Sequence, residues 1–132
     1  MVITTDPHKV NGKFYGEWHT FDDGRVLYMA HRSGAKSKSI YFAKMAWCLD
    51  TATLREAAYR GADAIAIRHK LGSRIHIYLS NLSDWWGSNS EPHPEGKTPQ
   101  RRLPLDKFLV TKCKIGKGGL IDLTASKIAI SR

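Results

Sequence analysis

The chain has 132 residues, with 21 Lys and Arg against 12 Asp and Glu, and so a formal net charge of +9. That length favours a single domain over 1–132, and a content of 42% apolar and 10% aromatic residues excludes a wholly disordered chain. No unbroken apolar run exceeds five residues, as in Val26 to Ala30, whereas a membrane-spanning helix needs about 20.

In chain order, Lys13–Phe21 and Arg25–His31 are rich in aromatic and branched residues around the turn Asp22-Asp23-Gly24, and they read as a β-hairpin. On the first strand Phe14, Gly16, Trp18 and Thr20 share one face, and Tyr15, Glu17, His19 and Phe21 the other. The polar stretch Ser33–Lys38 reads as a loop, and Ser39–Trp47 as a third strand. A short helix is expected from about Asp50: Asp50, Thr51 and Thr53 are good N-caps, and Thr53-Leu54-Arg55-Glu56 fits a capping box. Leu54, Ala57 and Ala58 supply a narrow apolar stripe, and Gly61 is placed to end the helix.

Ala64–Ser80 alternates around a turn at Lys70–Ser73, which predicts an antiparallel hairpin with an apolar face and a basic, aromatic face. Residues 82–103, with Pro92, Pro94, Gly96 and Pro99, read as a long irregular loop. A last hairpin is expected from Phe108–Ile115 and Leu120–Ser131, joined at Gly116–Gly119. The order βββα-ββ-loop-ββ predicts an α+β fold with a mainly antiparallel sheet and one short packed helix.

Charge points to function. Residues 1–66 hold nine basic and seven acidic residues, whereas 67–132 hold twelve and five. From Gly96 onward there are nine basic residues and two acidic ones, an excess that attracts polyanions, of which nucleic acids are the commonest in a cytosol. No basic amphipathic helix accompanies the charge, so no membrane partner is expected. The start, Met1–Asp6, lacks the pattern of a signal peptide, and Cys48 and Cys113 form no CxxC pair; both features suit a cytoplasmic protein without a disulfide framework.

Three groups of residues could meet a nucleic acid. Arg68, Arg74, His76 and Tyr78 are expected on one face of the Ala64–Ser80 hairpin, with His69 and Lys70 near its turn; guanidinium groups bind phosphate bidentately and Tyr can stack on a base. A solvated sheet face would carry similar residues. Lys112 and Lys114 share a strand face, with Lys117 in the following turn and Arg101 and Arg102 upstream, which could form a basic ribbon or simple edge protection. Trp85 and Trp86 would point to opposite sides of an extended strand, so at least one is expected at the surface, where it could stack on an unpaired base.

These residues predict a small basic protein that binds DNA or RNA without catalysis. An alternative is a metal-independent nuclease using His76 with Arg74 and Tyr78; His69 is expected to face away from His76. A third reading is a protein-interaction module, such as an inhibitor encoded by a mobile element, acting on a nucleic-acid-processing complex. Asp63 opens a strand, as acidic residues do in metal-dependent nucleases, but Arg74–Asn81 supplies neither a second carboxylate nor a lysine. No metal site and no cofactor are expected, since no HExxH, P-loop, GxSxG or GxGxxG occurs.

Overall fold

A computed structural model describes residues 2–33, 46–91 and 98–114. Strands β1 (Val2–Val10), β2 (Lys13–Phe21) and β3 (Val26–Ser33) are followed by β4 (Ala46–Asp50), helix α1 (Thr51–Tyr59) and the hairpin β5 (Ala64–Leu71) and β6 (Arg74–Asn81). Helix α2 (Leu82–Trp86), strands β7 (Asn89–Glu91) and β8 (Gln100–Pro104), a 3-10 turn (Leu105–Lys107) and β9 (Leu109–Lys114) complete the described chain.

The main sheet has six strands in the order β1-β2-β3-β5-β6-β9, and β4-β8-β7 form a smaller one. Every pairing is antiparallel except β3 with β5, where the chain leaves the sheet through β4 and α1 before returning. A parallel neighbour requires such a crossover, because a tight turn can only reverse the chain. The fold is α+β with a mostly antiparallel sheet, as the order of elements implies.

Strand β1 was not anticipated. Its residues from Thr4 onward are exposed apart from the half-buried His8, so the apolar alternation that marks a strand is missing. Pro7 is tolerated because β1 is an edge strand. The signal that was present is Asn11-Gly12: both residues have positive φ, at 52° and 79°, as a two-residue hairpin turn between twisted strands demands.

Helix α1 begins where the sequence placed it. Asp50 occupies the N-cap position without a side-chain capping bond, and the Thr53–Glu56 pattern lies inside the helix. Thr51 instead ties the helix start to the small sheet's border, its amide and hydroxyl both donating to the Pro99 carbonyl. Gly61, at φ 77°, carries the chain out of the helix. Part of the expected third strand, from Ser39 to residue 45, lies outside the described residues; its last two residues open β4.

The stretch read as a loop is more ordered than its composition suggests, since 82–103 contains α2, β7 and most of β8. Proline and glycine broke the periodicity, while β8 is made by pairing with the remote β4 (Asp50 opposite Gln100) and β7 by pairing with β8. The first strand of the last predicted hairpin exists as β9, and its second strand and turn lie outside the described residues.

Both faces of the main sheet are buried. On one, Trp18, Tyr28, Ile65, Ile67 and Tyr78 pack with Trp47, Leu49 and Leu103 of the small sheet, Leu54 and Ala57 of α1, and Leu82 and Trp85 of α2. On the other, Phe21, Leu27, Met29, Ala64, Ala66, Ile75, Ile77 and Leu79 form a second cluster. Each such large apolar side chain withdrawn from water contributes about 1.5–3 kcal/mol, so both clusters hold the sheet. The expected division of β5–β6 into one packed and one solvated face is therefore corrected.

Candidate functional site

The β5–β6 turn decides which side chains meet. Gly72, at φ 58°, opens a two-residue turn, Gly72-Ser73, that pairs Leu71 with Arg74. His69 then lies directly opposite His76, and Arg68 opposite Ile77. Directly opposed residues share a sheet face, so His69, Arg74, His76 and Tyr78 lie on the face that packs against the small sheet, and Arg68 and Lys70 on the reverse. Two expectations are corrected here. Arg68 does not stand with Arg74, and His69 does not face away from His76: across a two-residue turn the even-numbered residues of β5 share a face with the odd-numbered residues of β6, and the odd-numbered with the even-numbered.

Tyr78 and Trp85 offer no ring for base stacking, since they are 3% and 0% exposed. The Tyr78 ring packs edge-on against Trp47 and Phe108, and its hydroxyl lies 3.5 Å from Nδ1 of the half-buried His76. The Trp85 indole N–H donates to Ser80 Oγ at 2.8 Å, and Ser80 donates to the Ile65 carbonyl at 2.9 Å. Trp86 is the exposed member of its pair, as expected of one of the two. Arg101 covers it: the guanidinium sits 5.4 Å from the ring centroid and donates to the carbonyls of Trp86 and Ser88 at 3.0 and 3.1 Å. Arg101 thus serves to anchor α2 to β8, and Arg102 sits on β8 opposite Cys48 and Asn89. Lys112 and Lys114 take register positions opposite His76 and Arg74, and Lys117 lies outside the described residues.

What remains is a strip of three adjacent strands. β5, β6 and β9 contain Arg68, Lys70, Arg74, Lys112 and Lys114 and no Asp or Glu. Lys70 and Arg74 are exposed and Arg68 half-buried, and among the described residues none of the three forms an ion pair.

Two polar clusters escaped the sequence reading. On the face carrying Arg68 and Lys70, Glu17 lies between two imidazoles: His31 Nε2 is 3.0 Å from its Oε1, and His19 Nε2 is 3.1 Å from the same oxygen. Thr5 Oγ1 is 3.2 Å from His19 Nδ1. A carboxylate can only accept, so His31 donates its Nε2 proton to Glu17, while His19 Nε2 lies close to the same oxygen. These imidazole contacts hold the Glu17 carboxyl far below its ordinary range, outweighing burial, which acts the other way. His31 pairs across the sheet with Arg68, and Ser33 with Lys70.

On the opposite face, the Tyr28 hydroxyl donates to His8 Nδ1 at 2.7 Å. Burial lowers the His8 pKa and raises that of Tyr28, and burial also lowers that of Arg32, whose guanidinium donates to the His31 and Cys48 carbonyls. Arg60 caps this region, 4.5 Å from the Trp18 ring centroid. Hairpin register was the signal that could have found the first cluster: the turn at Asp22–Gly24 pairs Glu17 with Met29, which makes His31 its diagonal neighbour.

Among the described residues no group of three or more His, Cys, Asp or Glu side chains is arranged to hold a metal ion, and no helix is long and apolar enough to cross a membrane. No protein-family model matches the chain, and no match is found among curated proteins or solved structures.

Proposed function

We propose that this protein binds nucleic acid through its phosphate backbone. The observation that carries the reading is the strip of β5, β6 and β9, where five cations occupy three neighbouring strands without one carboxylate. By register Arg68 and Lys70 belong to one face of this strip and Arg74, Lys112 and Lys114 to the other, so each face has its own row of cations. Strands lie about 4.8 Å apart and alternate residues on one face about 7 Å apart, spacings that suit successive phosphates of a strand lying along either face. A cation with no acidic neighbour gives up little when it meets a phosphate, and the release of counterions from the polyanion drives association. Stacking has a smaller part than the sequence suggested, because Tyr78 and Trp85 are core residues and Trp86 is shared with Arg101.

The test is a fluorescence-anisotropy titration against labelled single- and double-stranded DNA and RNA over a range of salt concentrations. Affinity should fall steeply as salt rises. Lys70→Ala and Arg74→Ala should each reduce the slope of log K against log salt, by about 0.9 on duplex DNA or about 0.7 on single strands. No binding at moderate salt overturns the proposal.

A further inference from the structure

The Glu17–His31 pair has the form of an acid–base centre, and it lies beside the cations to which the phosphate reading assigns the ligand. His31 is 25% exposed, Glu17 22% and His19 1%, so the array runs from a buried anchor to an accessible imidazole. Thr5 orients His19, His19 and His31 both hold the Glu17 carboxylate, and that carboxylate fixes the His31 ring with its Nε2 proton donated inward. Nδ1 of His31 is then the nitrogen that carries the lone pair. The Phe14 ring meets His31 edge-on, 5.0 Å between centroids, and limits its tilt. A base oriented by a third group is the arrangement that proton abstraction requires.

Arg68 is the cross-strand partner of His31, and Lys70 stands one step further along the same face. A phosphate held by these two cations would lie within reach of the imidazole, since neighbouring strands are about 4.8 Å apart. An imidazole and two cations suffice to break a phosphodiester that carries its own nucleophile, as RNA does in its 2′-hydroxyl.

We propose that His31, positioned by Glu17 and His19 and flanked by Arg68 and Lys70, cleaves RNA by intramolecular transesterification. This rests on the phosphate-binding reading for delivery of the strand. The 2′-hydroxyl gives its proton to His31 Nδ1 as the 2′-oxygen bonds to phosphorus. The bond from phosphorus to the 5′-oxygen breaks, and that oxygen takes a proton from water. The products are a 2′,3′-cyclic phosphate and a free 5′-hydroxyl; His31 returns its proton to solvent. Arg68 and Lys70 hold the non-bridging oxygens, where negative charge grows in the transition state. His31 is the catalytic residue, and Glu17 and His19 are positioning residues.

The experiment incubates the full chain with single-stranded RNA and with the same sequence bearing 2′-O-methyl groups, and resolves the products by mass. Cyclic-phosphate ends from RNA alone are expected, with His31→Gln slowing cleavage at least a hundredfold while its salt-dependent binding is retained. Glu17 of β2 meets His31 directly, with His19 at the same carboxylate oxygen, and Arg68 and Lys70 stand beside it on β5. Glu17→Gln should lower kcat and leave KM nearly unchanged, a split that a purely structural role for Glu17 would not give. RNA that is bound but left intact overturns this inference and leaves the phosphate reading standing. RNA neither bound nor cleaved overturns both. Cleavage of the 2′-O-methyl strand, or an unchanged rate in His31→Gln, assigns the activity elsewhere and overturns the proposal; if His31→Gln does not fold, the 2′-O-methyl control and the kcat and KM of Glu17→Gln still decide.

Discussion

Gly16 is restricted to hydrogen by what lies across the sheet. A Cβ there would press into the Met29 carbonyl and stand 2.8 Å from the Tyr28 hydroxyl, the group that reaches over the glycine to His8. Gly16→Ala should therefore destabilise the protein by about 1–3 kcal/mol, the cost of an overpacked core, seen as a lower urea midpoint at unchanged slope. Tyr28→Phe keeps the ring and loses only the bond to His8, so its cost should be about 1 kcal/mol. The same residues set an acid limit. The His8 pKa is lower in the folded state than in the unfolded chain, so the stability that its neutral form contributes is complete above the ordinary value of 6.5 and declines as pH falls through it. Glu17 acts in the same direction: its depressed pKa gives stability that is present above 4.5 and lost as pH falls. Urea midpoints measured from pH 7 down to 3 should drop, and Glu17→Gln should flatten the lower part of that curve while lowering the neutral plateau. An unchanged curve in that variant would mean the two imidazoles do not stabilise the carboxylate.

At the scale of elements, short pieces are held by bonds from outside themselves. Helix α2 is five residues, too short to form alone, and it is fixed by Trp85 bonding to Ser80 and by Arg101 bonding to the carbonyls of its last residue, Trp86, and of Ser88 just beyond. Ser80→Ala should cost about 1–3 kcal/mol, because the buried indole N–H loses its acceptor. Thermal unfolding followed by tryptophan fluorescence would show it as a lowered Tm; no change would mean another acceptor takes over. Elements differed in how far they could be read from sequence. Helix α1 and the β5–β6 hairpin carry periodicity and turn residues within their own span, and both were legible. Strands β7 and β8 carry neither: β8 pairs with the remote β4 and β7 with β8, and all their residues but Leu103 are polar, charged or proline.

Over the whole molecule, cations divide into those engaged in the fold and those available to a ligand. Arg101 packs on Trp86, Arg25 pairs with Asp23 at 2.6 Å, and Arg60 sits over Trp18. Arg101→Ala should accordingly lower thermal stability and leave the salt slope of nucleic-acid binding nearly unchanged, the reverse of the pattern expected for Lys70→Ala. The two measurements together separate packing from phosphate contact, and a large loss of slope in Arg101→Ala would return that residue to the interface.

By itself the sequence determined the net charge and its concentration toward the C-terminal half, the α+β composition with its mainly antiparallel sheet, helix α1 and the hairpin turns, because each depends on residues near one another in the chain. Tertiary structure decided which faces those residues occupy and which distant ones meet. The two-residue turn at Gly72-Ser73 sets the register that puts Arg68 on the face opposite Arg74 and His69 opposite His76. The Glu17–His19–His31 array needs both the β2–β3 register and the packing of β1 beside β2, and its link to Arg68 needs the parallel pairing of β3 with β5. Alternation along a strand sorts side chains into two sets. Only pairing with remote strands determines which set is buried, and what each set will touch.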